Sequence, residues 1–111
     1  MNDLLSKKCV PCEGGTPPLT AEDVRGLLAQ VPGWESIGGQ KIEKSFKFRD
    51  FKAAMEFVNK VAGLAEQEGH HPDIHIHYNR VRLEFWTHAI GGLSENDFIA
   101  AAKINAIWEP V

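Results

Sequence analysis

Cysteine is scarce in this chain: of 111 residues only Cys9 and Cys12 are of that type, and both stand close to the start. Their C-x-x-C spacing is that of redox and zinc sites. A redox pair opens a helix after a strand, however, and nothing strand-like precedes Cys9. A closed zinc site needs four ligands, and no second cysteine pair is present. Positive charge is not in surplus either. The 12 Lys and Arg stand against 15 Asp and Glu, a net charge of −3. That balance excludes a broad basic face, and so direct nucleic-acid binding or attachment to anionic lipid as the main activity. No apolar run approaches the roughly 20 residues of a membrane helix. Met1 to Lys8 lack the apolar stretch of a signal peptide, so a cytoplasmic protein is the expectation. There is no phosphate-binding glycine loop, no H-E-x-x-H and no internal repeat.

What is present describes one globular domain. Hydrophobic residues make up 43% and charged residues 24% of a chain long enough for a single core. Gly14-Gly15-Thr16-Pro17-Pro18 reads as loop, so 1–18 is expected to be a flexible N-terminal arm ahead of a domain over 19–111. All five histidines fall between His70 and His88.

The patterning predicts three helices and four strands. Thr20, with Asp23 three residues on, resembles a capping box, and Val24, Leu27, Leu28 and Val31 supply an apolar stripe up to Pro32-Gly33. Trp34 to Ile37 reads as a short strand, Gly38-Gly39 as a turn, and Ile42, Lys44, Phe46 and Phe48 as one face of a second strand. Asp50 is a good N-cap for a second helix, in which Phe51, Ala54, Met55, Val58, Val61, Ala62 and Ala65 form the stripe and Gly69 the stop. Phe57 and Leu64 lie off that stripe. They indicate a contact between subunits or, equally, extra burial within one chain.

Residues 73–87 alternate with period two, broken at Asn79-Arg80. A two-residue loop there sets Ile74 opposite Phe85, Ile76 opposite Leu83 and Tyr78 opposite Val81, so that apolar meets apolar. The same register sets His75 opposite Glu84, His77 opposite Arg82 and His71 opposite His88. With His70 next in the chain, three imidazoles converge where a helix end meets two strand ends. His75 and His77 read as polar residues on a strand face. A third helix opens at Ser94-Glu95-Asn96-Asp97, where Asp97 fits a capping box, with Phe98, Ala101, Ala102 and Trp108 inward. The order α-β-β-α-β-β-α implies an α+β single domain: a four-stranded antiparallel sheet with helices packed on one face.

Histidines near a carboxylate suit general acid–base chemistry. A metal site is the rival reading, and His75-x-His77 puts two imidazoles on one strand face. That pair is separated along the hairpin from the other three, however, and neighbours such as His70 and His71 reach one ion awkwardly.

The run Glu66-x-x-x-His70-His71-Pro72, followed by Tyr78, His88 and Asp97, resembles the signature of the pterin-4a-carbinolamine dehydratase family. Weaker similarity extends through Leu19-Thr20-Ala21-Glu22, Gly33-Trp34 and Phe46 to Phe51. The resemblance implies dehydration of 4a-hydroxytetrahydropterin to quinonoid dihydropterin and water, which recycles the cofactor of aromatic amino-acid hydroxylases. It implies no metal or organic cofactor, a pterin substrate as the small-molecule partner, and a homodimer or homotetramer. It puts His70, His71 and His88 at the active site, with Glu66, Pro72 and Asp97 in support. We expect His70 and His88 to be the acid–base pair and His71 to hold the substrate. Animal members also serve as dimerisation partners of a transcription factor. They tend to carry Trp two residues after the motif's proline, where this chain has Ile74, so the wall against the substrate ring must differ here.

Overall fold

A computed structural model describes residues 3–9 and 17–108. The chain order is α1 (Ala21–Leu28), β1 (Glu35–Ile37), β2 (Lys41–Lys47), α2 (Phe51–Glu68), β3 (Asp73–His77), β4 (Arg80–Phe85) and α3 (Glu95–Trp108), with 3-10 turns at Asp3–Ser6 and His88–Ile90. This is the expected α-β-β-α-β-β-α order. The four strands form one antiparallel sheet in the order β1-β2-β4-β3.

Local chemistry sets the helix ends. The Thr20 hydroxyl accepts from the Asp23 N–H at 3.1 Å, and the Asp23 carboxylate accepts from the Thr20 N–H at 3.3 Å. Two otherwise orphaned donors are satisfied in this way. Asp50 caps α2 by accepting from the Ala53 N–H at 2.8 Å. Gly69 ends α2 in the left-handed region, at φ 67, where a side chain would be strained.

One sheet face carries Ile42, Phe46, Val81, Leu83 and Phe85, all buried beneath α2 and α3. The other face is charged: Glu84 pairs with Lys41 at 3.1 Å and with Arg82 at 2.9 Å. Lys44, on the apolar side, holds its ammonium over the Phe46 ring, 5.1 Å from the centroid. Its ammonium bonds the Asn105 amide oxygen at 2.9 Å and the Pro32 carbonyl at 3.2 Å.

The hairpin differs from expectation. Its loop is Tyr78-Asn79, so His77 faces Arg80, Ile76 faces Val81, His75 faces Arg82 and Ile74 faces Leu83. Tyr78 supplies the positive φ, 53, that a tight two-residue turn needs. Asn79 is tied to the end of β2: its amide donates to the Phe48 carbonyl at 3.0 Å, and its own carbonyl accepts from the Phe48 N–H at 2.8 Å. The slip is by two positions, so every side chain keeps its face. The ladder ends at Asp73 opposite Glu84, and His71 and His88 are therefore not register partners.

Phe57 is 5% exposed and packs against Phe46, Phe48 and Trp108 at centroid distances of 4.8, 5.2 and 5.9 Å. Its ring is spent within the chain rather than offered to a second subunit, and Leu64 packs on the same core. Phe51, expected inward, is 50% exposed. Part of the N-terminal arm is also not loose. Leu4, 2% exposed, belongs to the core cluster, and the turn Asp3–Ser6 lies against α3. On α3, Ile99 and Ala100 are buried along with Phe98 and Ala101, so the helix is covered on more than the one side its sequence pattern suggests. Cys9 is half-buried, while Cys12 and the Gly14-Gly15-Thr16 stretch lie outside the described residues. Burial, then the Glu68 carboxylate, pushes the Cys9 thiol up to about 12, which leaves it a poor nucleophile.

Candidate active site

The end of α2 delivers two histidines to different environments. After the left-handed turn at Gly69, the His70 N–H returns to the Ala65 carbonyl at 3.2 Å. His70 then turns inward, where its ring stacks on Phe85 at 5.6 Å with the planes 8° apart. Its Nε2 lies 2.6 Å from Oδ1 of Asp97, and its side chain is 12% exposed. His71 points outward, with Nε2 2.5 Å from Oε2 of Glu66, and both partners are largely in solvent. The first pair is a positioned one. The second is open to screening, and exposed pairs of this kind hold geometry only weakly.

Asp97 is 0% exposed and its carboxylate serves three groups at once. Its Oδ2 accepts from the Ser94 N–H at 2.9 Å, half of the expected capping box, and from the Thr87 hydroxyl at 2.9 Å. Since the Thr87 hydrogen goes to Asp97, the Ser94 hydroxyl is the donor in its 2.7 Å contact with Thr87. A buried carboxylate is tolerated only when its lone pairs are filled, and here the third partner is His70. An ionised Asp97 requires the proton on His70 Nε2. That leaves Nδ1 as the nitrogen able to take up a further proton.

His88 comes from the opposite direction, at the start of the 3-10 turn that follows β4. Its ring lies on Trp86, with centroids 3.8 Å apart at 34°. The loop behind it is drawn tight by the Thr87 N–H donating to the Gly92 carbonyl at 2.8 Å. Gly92 is a close approach: a Cβ there would meet the Pro18 side chain at 2.8 Å.

His70, His71, Pro72 and His88 line one cavity of about 380 Å³, together with Trp86 and Asn96. Glu66 and Asp97 reach it only through the histidines they hold. His75 and His77 are not among its lining residues. His75 Nε2 sits 3.6 Å from Glu84 Oε2, too far for a hydrogen bond. Among the described residues no three His, Cys, Asp or Glu side chains gather closely enough to hold a metal ion, and no helix is long and apolar enough to cross a membrane. Trp86 and Thr87 are functional candidates that the sequence reading missed. The available signal for Trp86 was a large aromatic residue on an otherwise polar strand face, two residues before His88.

An arrangement of this kind can move protons. It offers one imidazole fixed by a buried carboxylate, a second packed on the Trp86 indole, and a cavity that both line. The sequence model for pterin 4 alpha carbinolamine dehydratases matches residues 17–107. A pterin-4-alpha-carbinolamine dehydratase homologue of Nitrosospira multiformis is 49% identical over 109 residues, covering 98% of this chain and 96% of the relative. One from Rubrobacter xylanophilus is 46% identical over 107 residues, covering 96% and 100%. A crystal structure described as a transcriptional coactivator/pterin dehydratase from Brucella melitensis superposes with a TM-score of 0.77 at 38% identity, covering 81% of this chain and 97% of that one.

Proposed function

The chain belongs to the pterin 4 alpha carbinolamine dehydratase family, and we propose that it removes water from 4a-hydroxytetrahydropterin, giving quinonoid dihydropterin, by histidine acid–base catalysis. The observation that carries this reading is the meeting of His70 and His88, from a helix end and a strand end, at one cavity. The substrate must lose its C4a hydroxyl and its N5 proton. An imidazolium donates to the leaving hydroxyl as the C4a–O bond breaks. A neutral imidazole takes the N5 proton, and the freed electron pair closes the C4a=N5 bond. The step is proton transfer and bond redistribution within the substrate, so it calls on no metal or organic cofactor.

His70 and His88 form the acid–base pair in this reading, flanking a flat ring. His71 holds the substrate, with Glu66 orienting its imidazole, and Asp97 sets the His70 tautomer. Pro72 shapes the wall beside them. The product feeds cofactor recycling for aromatic amino-acid hydroxylases in the cytoplasm, and the enzyme works as a homodimer or homotetramer. Single His→Ala variants assayed on both C4a epimers test the division of labour. Turnover falls about 10²–10⁴-fold for His70→Ala and His88→Ala, and less for His71→Ala. Unchanged turnover in His88→Ala removes that residue from the pair.

The description of the Brucella melitensis structure as a transcriptional coactivator as well as a dehydratase favours a second reading, a dimerisation cofactor for a protein partner. Mixed oligomers on combining the two purified proteins would support it.

A further inference from the structure

The last residue of α2 breaks a local rule. Glu68 puts a carboxylate at a helix C-terminus, where the helix dipole disfavours negative charge, and that last turn holds no basic residue. Its side chain is also only 5% exposed. A buried carboxylate at that end has to be held by groups from elsewhere.

Two groups hold it, from different parts of the chain. The Lys103 ammonium of α3 donates to Oε2 at 2.9 Å, and the Cys9 backbone N–H of the N-terminal arm donates to Oε1 at 2.9 Å. The arm also reaches α3. Burial keeps the Cys9 thiol protonated, and it donates to the Asn96 carbonyl at 3.5 Å. Cys9 therefore touches the residue two before His70 and the residue one before Asp97. His70 and Asp97 are the two members of the buried 2.6 Å pair.

Gly69 alone separates Glu68 from His70. A Cβ on it would meet no atom within 4 Å, so packing against Gly69 does not fix this turn. Its flanks do. Glu68 and His70 line one narrow gap beside α3, with Phe85, Ala100 and Ile104 around it. A shift of the α2 end in that gap carries the His70 ring with it, away from Asp97. A buried ion pair adds little stability over apolar residues of the same volume, and what it can add is a fixed register.

We propose that Glu68 is a positioning residue: bridged by Lys103 and by the Cys9 N–H, it sets the end of α2 so that His70 meets Asp97. The N-terminal arm, residues 3–9, is thereby a strap across the joint that the catalytic pair depends on. The consequence for turnover rests on the dehydratase reading.

The test uses three variants of the full chain. Glu68→Gln keeps the volume and removes the charge. Cys9→Ala removes the thiol and keeps the N–H, whereas Cys9→Pro removes both. Each is measured by turnover of 4a-hydroxytetrahydropterin and by the ring-nitrogen NMR shifts of His70. Those shifts, taken at about pH 8.5, above the ordinary imidazole range, report the tautomer whether or not the protein is active.

The wild type should hold one tautomer, with the proton on Nε2. Glu68→Gln and Cys9→Pro should show both tautomers and a kcat about tenfold lower at unchanged KM. Cys9→Ala should keep the wild-type tautomer, and mixing equal to that of Cys9→Pro overturns the part given to the N–H. One tautomer in all four proteins, or a mixture already in the wild type, overturns the proposal even where a variant is less stable. Mixed tautomers at wild-type kcat overturn it as well. A tautomer change in the variants of a protein without turnover leaves the positioning standing and defeats the dehydratase reading, whereas neither change nor turnover defeats both.

Discussion

The imidazole of His70 and the carboxylate of Asp97 meet at 2.6 Å, and the carboxylate has no exposure of its own. One side chain therefore both caps α3, through the Ser94 N–H, and fixes a ring that lines the histidine cavity. The two roles can be separated. Asp97→Asn keeps the shape but cannot fill the same set of acceptor positions, and it should lower kcat about 10²-fold or more while KM holds. Loss of thermal stability with kcat intact would reduce Asp97 to a helix cap.

Thr87 tests the next link outward. Its hydroxyl is one of two donors to Asp97 Oδ2 and is itself buried. Thr87→Val keeps the volume, removes the donor, and should cost about 1–3 kcal/mol in stability. As a positioning residue it should also lower kcat without moving KM, and Thr87→Ser should restore kcat. A variant that is less stable but fully active would confine Thr87 to packing.

Acid sensitivity should arise on the far side of α2. Burial alone would raise the Glu68 carboxyl, but hydrogen bonds from the Cys9 N–H at 2.9 Å and Lys103 at 2.9 Å, with the Lys103 charge, hold it below the ordinary 4.5. Glu84 is lowered in the same way, with Lys41 and Arg82 outweighing its burial. A carboxyl lowered in the folded state stabilises the fold above its unfolded pKa, and that contribution disappears as pH falls through the folded value. Unfolding followed from about pH 6 to about pH 3 should show stability falling below the ordinary carboxylate range. Glu68→Gln should start less stable and fall less steeply. Parallel curves would remove Glu68 from the explanation.

Much of this was legible where the cause is local. Thr20, Asp50 and Gly69 fix helix ends through their own backbone neighbours, and the period-two pattern of 73–87 fixes which residues share a face. The hairpin register was not legible, because its loop is anchored by Phe48, a residue of another strand. Nor was the packing of Leu4, which comes from the far end of the chain in the turn that lies against α3. Phe57 looked surplus on one helix because its aromatic partners, Phe46, Phe48 and Trp108, come from elsewhere. The histidine cavity follows the same division. His70 and His71 follow directly from the helix stop. Trp86 and Thr87 gain their meaning only when β4 is set beside α3.

The most direct measurement is stopped-flow dehydration of 4a-hydroxytetrahydropterin by the wild type and by His70→Ala/His88→Ala, at matched folding by circular dichroism. The wild type should accelerate water loss, and the double variant should fall at least about 10²-fold toward the uncatalysed rate. Turnover by the folded double variant equal to that of the wild type would contradict histidine acid–base catalysis at this site.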